Sequence, residues 1–344
     1  MQILRTPAVH CRHLPRTRLR QTTSARSYHS SFPRNSSHSQ LHTQSSVNPD
    51  EIALFSRLSS QWWDERGEFK MLHKMNPVRI QFIREKLVKD GADIIDESKL
   101  LNDLDVLDVG CGGGLLCESL TRLGATTLGI DASSSNIAIA SLHASADPGL
   151  NSSSPVASTS AREAGIHSGK GTLAYEHMSV EELLANRGPK QFDVVCSMEV
   201  LEHVDNPRVF LSNCAELVKP GGHLFLSTIA RTPLAYLLTI FAAEQALRLV
   251  TPGTHTYSKY VKPDELLAFF HQYRSPSNSP NATSTNKPWI SRLYNSIPSR
   301  TEAETRGMIY LPWKGEWALV PRGAMGAKWG EGCNYLFWVR RPLE

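Results

Sequence analysis

Two groups of residues have types and spacings that chemistry can use. The first lies in DVLDVGCGGGLLCESL, residues 105–120, where an apolar run enters Gly110, Gly112 and Gly114 and leaves as a helix-compatible segment. That pattern predicts strand, tight loop, helix, because glycines let the backbone turn sharply and lie against a ligand facing the helix-end amides. A dinucleotide fingerprint needs a third glycine where this chain has Leu115, and Asp108 would repel a pyrophosphate. The same carboxylate accepts hydrogen bonds from an ammonium group, so the expected ligand is a cationic nucleoside. Asp131 closes the next apolar run, Thr126 to Ile130, and an acid at a strand tip suits a ribose diol.

The second group is Glu199, Glu202 and His203 in MEVLEHV, directly after FDVVCSM. Spacings of i, i+3 and i+4 predict two carboxylates and an imidazole on one helical face. Such a donor set can hold a divalent ion such as Mg²⁺, with a substrate oxygen completing its shell. Without a metal, His203 is the candidate general base.

These residues need elements to hold them. Asn48 or Asp50 caps a first helix with Ile52, Leu54, Phe55 and Leu58 on one face, and Trp62 and Trp63 then precede a short loop. Asn76-Pro77 opens a second helix carrying Arg79, Ile80, Phe82, Ile83 and Leu87, Arg79 reading by default as a surface ion pair. Leu173 to Tyr175 predicts a third strand, Ser179 and Glu182 a capping box, and Phe192 to Met198 a buried strand. Asn206-Pro207 starts a helix that ends at a Lys219–Gly222 turn, which launches a strand from His223 to Thr228. Pro233 to Val250 is the most apolar helical stretch, interrupted by Glu244 and Gln245. It reads as a core helix or as an interfacial helix over a greasy substrate. Pro263 begins a helix through Phe270, and Met308 to Val339 supplies further strands, the last antiparallel at the sheet edge. The expected fold is an α/β, Rossmann-like, mostly parallel doubly wound sheet with an antiparallel edge strand.

Glycine loop plus ribose acid resembles the S-adenosylmethionine-dependent methyltransferases. Longer strings, WWDERGEFKMLHKMNPVRIQFI, LVKPGG and GTHTYSKYVKPDEL, make the chain similar to the ubiquinone biosynthesis O-methyltransferases, bacterial and mitochondrial. The resemblance runs discontinuously from about Pro49 to Leu267. It implies that Arg79 joins Asp108, Gly110, Gly112, Asp131 and Met198 in the S-adenosylmethionine site, reaching the methionine carboxylate. It favours Mg²⁺ on Glu199, Glu202 and His203. It also implies a polyprenyl-dihydroxybenzoate and a demethylated ubiquinol as substrates, other ubiquinone-biosynthesis proteins as partners, and a peripheral place on the matrix side of the mitochondrial inner membrane. Residues 145–171 are longer than the family pattern.

Composition sets the remaining bounds. The formal charge of +4 is concentrated at the start: residues 1–49 hold seven arginines and no acid, leaving 30 basic against 33 acidic residues elsewhere. That distribution predicts a mitochondrial presequence over 1–46 and gives no nucleic-acid surface. A helical lid over 47–98 and a methyltransferase domain over 99–344 follow, with disordered insertions near 145–171 and 275–299 and a hydrophobic insertion near 233–262. Six cysteines without C-x-x-C pairing predict reduced thiols. Three rival readings stand beside the main one: an O-methyltransferase for a soluble catechol, a non-catalytic assembly protein of a quinone-synthesis complex, and a nicotinamide oxidoreductase.

Overall fold

The computed structural model describes residues 45–88, 99–150, 171–276, 287–294 and 297–343. Residues 1–44, 151–170 and 277–286, which make up most of the expected presequence and of the two expected insertions, lie outside the described residues.

The chain opens with α1 (Pro49–Leu58), a short turn and α2 (Lys70–Leu87). Strand and helix then alternate: β1 (Asp105–Val109), α3 (Leu115–Arg122), β2 (Thr126–Asp131), α4 (Ser134–Ala146), β3 (Thr172–His177) and α5 (Val180–Arg187). Next come β4 (Phe192–Met198), α6 (Pro207–Leu217) and β5 (Val218–Ile229). Pro233–Ala235 continues into a π-helical Tyr236–Ala246, together α7, and α8 spans Pro263–Gln272. The end of the chain gives a hairpin of β6 (Leu293–Tyr294) and β7 (Ile297–Pro298), then β8 (Ala303–Leu311), β9 (Glu316–Leu319), α9 (Ala327–Gly330) and β10 (Asn334–Arg340).

Eight strands form one sheet in the order β3-β2-β1-β4-β5-β10-β8-β9. The first five are mutually parallel, as alternating strands and helices dictate, and the last three pair antiparallel. The final strand is therefore antiparallel, as expected, but it lies between β5 and β8 while β9 takes the edge. Burial explains the position: Tyr335 to Val339 are all buried, which requires cover on both faces. Period-two alternation splits the core. Leu107, Val195 and Phe337 join Phe210, Phe269 and Phe270 on one face, whereas Val106, Val194 and Trp338 join Phe82, Ile83 and Leu120 on the other.

Several local expectations change. Pro77 lies inside α2 instead of opening it. A helix-interior proline costs about 3 kcal/mol, but Met75, Val78, Phe82 and Ile83 are all buried around it, each contributing about 2 kcal/mol. Because Phe82 and Ile83 pack against the sheet, α2 is a layer of the domain core. The covering segment narrows to α1 and residues 59–69. The Lys219–Gly222 turn is absorbed into β5 as an irregularity: Phe192 pairs with Val218 and Val194 with His223, so the intervening residues bulge out. In the stretch read as an insertion over 275–299, Trp289 and Ile290 are buried against Phe270 and are core residues. Ser179 and Glu182 do form the capping box. The five cysteines among the described residues are free thiols, four of them buried.

Candidate active site

Strand order reverses at β1, which pairs with β2 on one side and β4 on the other. Their carboxyl ends therefore flank one crevice, the place where doubly wound sheets bind ligands. The glycine loop crosses that crevice. Gly110 (φ 73°) and Gly112 (φ 54°) both adopt left-handed backbone, and a Cβ at Gly112 would fall on the Trp62 indole. Amides of Gly110 and Cys111 donate to the Ile130 carbonyl at 2.8 and 3.0 Å, which pins the loop to β2.

Asp131 gathers donors from the glycine loop and from the start of α4. Its Oδ2 accepts from Gly112 N at 2.9 Å, and its Oδ1 accepts from Ser133 N at 2.8 Å and Asn136 Nδ2 at 3.3 Å. Burial raises its pKa, while the hydrogen bonds from Ser133, Gly112 and Asn136 oppose the shift. Asn136 also accepts from the Trp62 indole N–H at 2.9 Å, and Trp63 Nε1 donates to the Gly113 carbonyl at 2.9 Å. The paired tryptophans thus sit as a cover on the glycine loop, with Phe69 stacked flat on Trp62 at 3.8 Å. Sequence reasoning missed Asn136, although its place five residues after the acid was visible.

Behind this wall lies a buried charge cluster. Asp108 is 3% exposed and accepts from the Cys117 thiol at 3.2 Å. Burial pushes its pKa up to about 6, against the attraction of Arg79. Arg79 is equally buried, 3.7 Å from Glu199, and senses Asp108 and Glu202 as well. Its Nε and Nη2 have no hydrogen-bond partner, nor do Glu199 Oε1 and Glu202 Oε1. Orphaned polar atoms of this kind are costly, and their concentration here marks a ligand site.

The Glu199–His203 segment is a turn and not a helix. Glu199 has φ 57°, and the next helix begins only at Pro207, so the three donors do not stack on one face. Each is drawn to a different partner: Glu199 to Arg79, Glu202 Oε2 to the Thr228 hydroxyl at 2.8 Å, and His203 Nδ1 to Glu51 Oε2 at 3.0 Å. Glu202 is buried and its pKa rises to about 8, from burial first and from the Glu199 charge second. Among the described residues, no three His, Cys, Asp or Glu side chains are grouped closely enough to hold a metal ion.

One cavity of about 810 Å³ joins these parts. Gly110, Gly112, Asp131, Met198, Glu199, Glu202 and His203 line it, whereas Asp108 and Arg79 stand behind its wall. It is also lined by Leu234, Leu238 and Leu247 from α7 and its continuation, and by Ile309 and Trp329. Polar groups that suit a nucleoside and apolar ones that suit a long hydrocarbon therefore share one space.

Comparison with known proteins identifies the family. A family model described as a methyltransferase domain matches residues 71–273. The mitochondrial ubiquinone biosynthesis O-methyltransferase of Schizosaccharomyces pombe is 39% identical over 299 residues, 87% of this chain and 88% of that protein. The mitochondrial protein of the same name from Rattus norvegicus is 37% identical, covering 80% of this chain and 66% of that one. A Brucella ovis protein, also named ubiquinone biosynthesis O-methyltransferase, is 43% identical over 66% of this chain and 82% of its own length. Identity at this level, over nearly the full length of the yeast protein, reaches beyond a shared sheet: the chain belongs to the ubiquinone biosynthesis O-methyltransferases and is an S-adenosylmethionine-dependent enzyme.

Proposed function

We propose that the chain methylates a catechol hydroxyl of a polyprenyl-dihydroxybenzoate and of a demethylated ubiquinol, on the matrix side of the mitochondrial inner membrane. The observation that supports this reading best is that one cavity is lined by Asp131 and Gly112, by His203 and by the leucines of α7. S-adenosylmethionine, when bound, supplies the electrophilic methyl. Asp131 is placed to take the ribose hydroxyls, and Gly110, Gly112 and Met198 form the wall beside them. Asp108, just behind the wall, is the carboxylate for the ammonium group, and Arg79, whose Nε and Nη2 make no hydrogen bond and whose ion pair to Glu199 is a loose 3.7 Å, suits the methionine carboxylate.

Transfer is an in-line attack by a phenolate oxygen, so the protein must align reactants and free the phenolate near neutral pH. His203 suits the second task. Its Nδ1–H donates to Glu51, which fixes the tautomer and leaves Nε2 as the acceptor on the cavity wall. Phe55 packs edge-on against the ring, with centroids 5.0 Å apart, and holds its orientation.

The donor chemistry also suits Mg²⁺, since Glu202 Oε1 has no hydrogen-bond partner and Glu199 Oε1 has only the Arg79 guanidinium at 3.7 Å, both beside the cavity. As they stand, Glu199, Glu202 and His203 are not grouped closely enough to hold it, so they would have to leave their present partners and converge; an ion held there would lower the catechol pKa. Full-length protein should methylate a short-chain prenyl catechol, lose activity to a chelator and regain it with Mg²⁺. Activity indifferent to thorough chelation would remove the ion and leave His203 as the base.

Peripheral contact with the bilayer is part of the proposal. No helix among the described residues is long and apolar enough to cross a membrane. Leu237, Leu238 and Phe241 are each about half exposed on α7, and Leu238 also lines the cavity. A surface that is greasy outside and continuous with an apolar channel fits a substrate drawn from lipid. Rates independent of prenyl length would favour a soluble catechol instead. Partners from a quinone-synthesis complex remain part of this reading, with co-purification from mitochondria as their test.

A further inference from the structure

Glu244 is the odd residue of α7. It is 2% exposed on a helix whose other faces are mostly apolar, and its carboxylate is fully employed. Oε2 accepts from Gly253 N at 2.8 Å; Oε1 accepts from His255 N at 2.9 Å and from His255 Nδ1 at 2.6 Å. All three bonds go to one short loop. Since Nδ1–H is committed to Glu244, Nε2 of His255 presents a lone pair, and the described residues give it no partner.

His255 lines the same cavity as His203, and the two ring centroids are 6.2 Å apart. Both imidazoles carry a carboxylate on Nδ1, Glu51 for one and Glu244 for the other. The Tyr260 ring packs edge-on against His255 at 6.2 Å, and its hydroxyl bonds Thr239 of α7 at 2.6 Å, so the ring is fixed from a second side. Two acceptor rings lining one space, tilted 39° to each other, match two adjacent hydroxyl donors.

We propose that His255 is a second substrate-binding residue, accepting a hydrogen bond from the catechol hydroxyl that is not methylated, and that Glu244 is the positioning residue that orients it. This rests on the catechol reading above, and it adds what selects a catechol over a phenol with one hydroxyl. A carboxylate that merely pinned the loop would need only the two backbone amides. The third bond sets the imidazole tautomer.

The test uses full-length protein with Mg²⁺ and S-adenosylhomocysteine, and measures binding of a short-chain prenyl catechol and of the matching monophenol by calorimetry. His255→Ala should weaken the catechol about tenfold, the worth of one hydrogen bond, and leave the monophenol within twofold. Glu244→Gln should act in the same direction and less strongly. His255→Gln, whose amide oxygen can accept in place of Nε2, should recover part of the loss. It also carries the test if the alanine variant fails to bind S-adenosylhomocysteine. Equal weakening of both ligands, or no weakening of either, would overturn the assignment. If the unaltered protein binds neither and methylates neither, the catechol reading itself fails, which is a different result.

Discussion

The two ends of the cavity are built in opposite ways. At the donor end, the contacts of Asp131 are local: Gly112 reaches it across 19 positions and Asn136 across five, while the Trp62 and Trp63 cover comes from farther away, across 74 and 50 positions. At the acceptor end, Glu51 meets His203 across 152 positions, Glu68 meets Thr251 N across 183, and Lys259 meets Glu51 across 208. The frame of the donor site is one β-loop-α unit and its neighbour strand, to which Trp62, Trp63 and Arg79 are added from the N-terminal segment, whereas the acceptor site exists only once α1, the 199–203 turn and the loop after α7 have assembled. Variants should therefore separate cleanly, donor-end changes moving cofactor affinity and acceptor-end changes moving catechol binding or turnover.

The largest separation is expected at His203. His203→Ala should lower kcat by about 100-fold or more, the usual worth of a general base, with S-adenosylhomocysteine affinity unchanged in a calorimetric titration. A parallel loss of cofactor affinity would erase the division between the two ends. Glu51→Gln should reproduce the kcat loss in weaker form.

Asp131→Ala should cost about 100-fold in cofactor affinity. It strands the Gly112 and Ser133 amides and the Asn136 amide, each at about 1–3 kcal/mol when left unsatisfied. Catechol binding, measured alone, should hold.

Asp108 gives a pH test with a defined sign. Its folded pKa of about 6 lies above the ordinary carboxylate value, so the folded protein holds this proton more tightly than the unfolded chain does. The resulting stability is present below the unfolded pKa and is lost as pH rises through 6. Asp108→Asn should therefore stabilise the cofactor-free protein by on the order of 3 kcal/mol above pH 7, with no gain near pH 4. The same variant should bind the cofactor about tenfold more weakly, a charge-assisted hydrogen bond being worth about 1.5–3 kcal/mol. Thermal melts at the two pH values and one titration check both halves, and a destabilised variant at neutral pH would contradict the buried-charge account.

The smallest effect belongs to α7. Leu238→Ser with Phe241→Ser should reduce kcat/KM a few-fold for a long-tailed catechol and leave a tail-free catechol alone, because about 0.8 kcal/mol is lost per unburied CH₂ of the tail. Sedimentation with anionic vesicles should fall in step.

The same contrast explains what the sequence could disclose. β1, the glycine loop, Asp131, the Ser179 cap and β4 were legible because glycine spacing, apolar runs and capping residues are local signals. The turn at 199–203 was read as a helix because a left-handed Glu199 leaves no mark in residue type, unlike a glycine. Pro77 was read as a helix start because tertiary burial outweighs its local cost. Trp289 and Ile290 were hidden in a stretch whose Ser, Asn and Pro content masks two core side chains. The Glu51–His203 and Glu244–His255 pairs follow from assembly, and no periodicity encodes the first.

Trp62 has one more consequence. Its indole N–H reaches Asn136, and Asn136 reaches Asp131, so the ring lies two hydrogen bonds from the carboxylate assigned to the ribose. Filling that end of the cavity must alter the polarity around the indole, and with it the colour and yield of its ultraviolet emission. A variant keeping Trp62 as its sole tryptophan would then report donor loading as an optical signal, without a label and separately from methyl transfer.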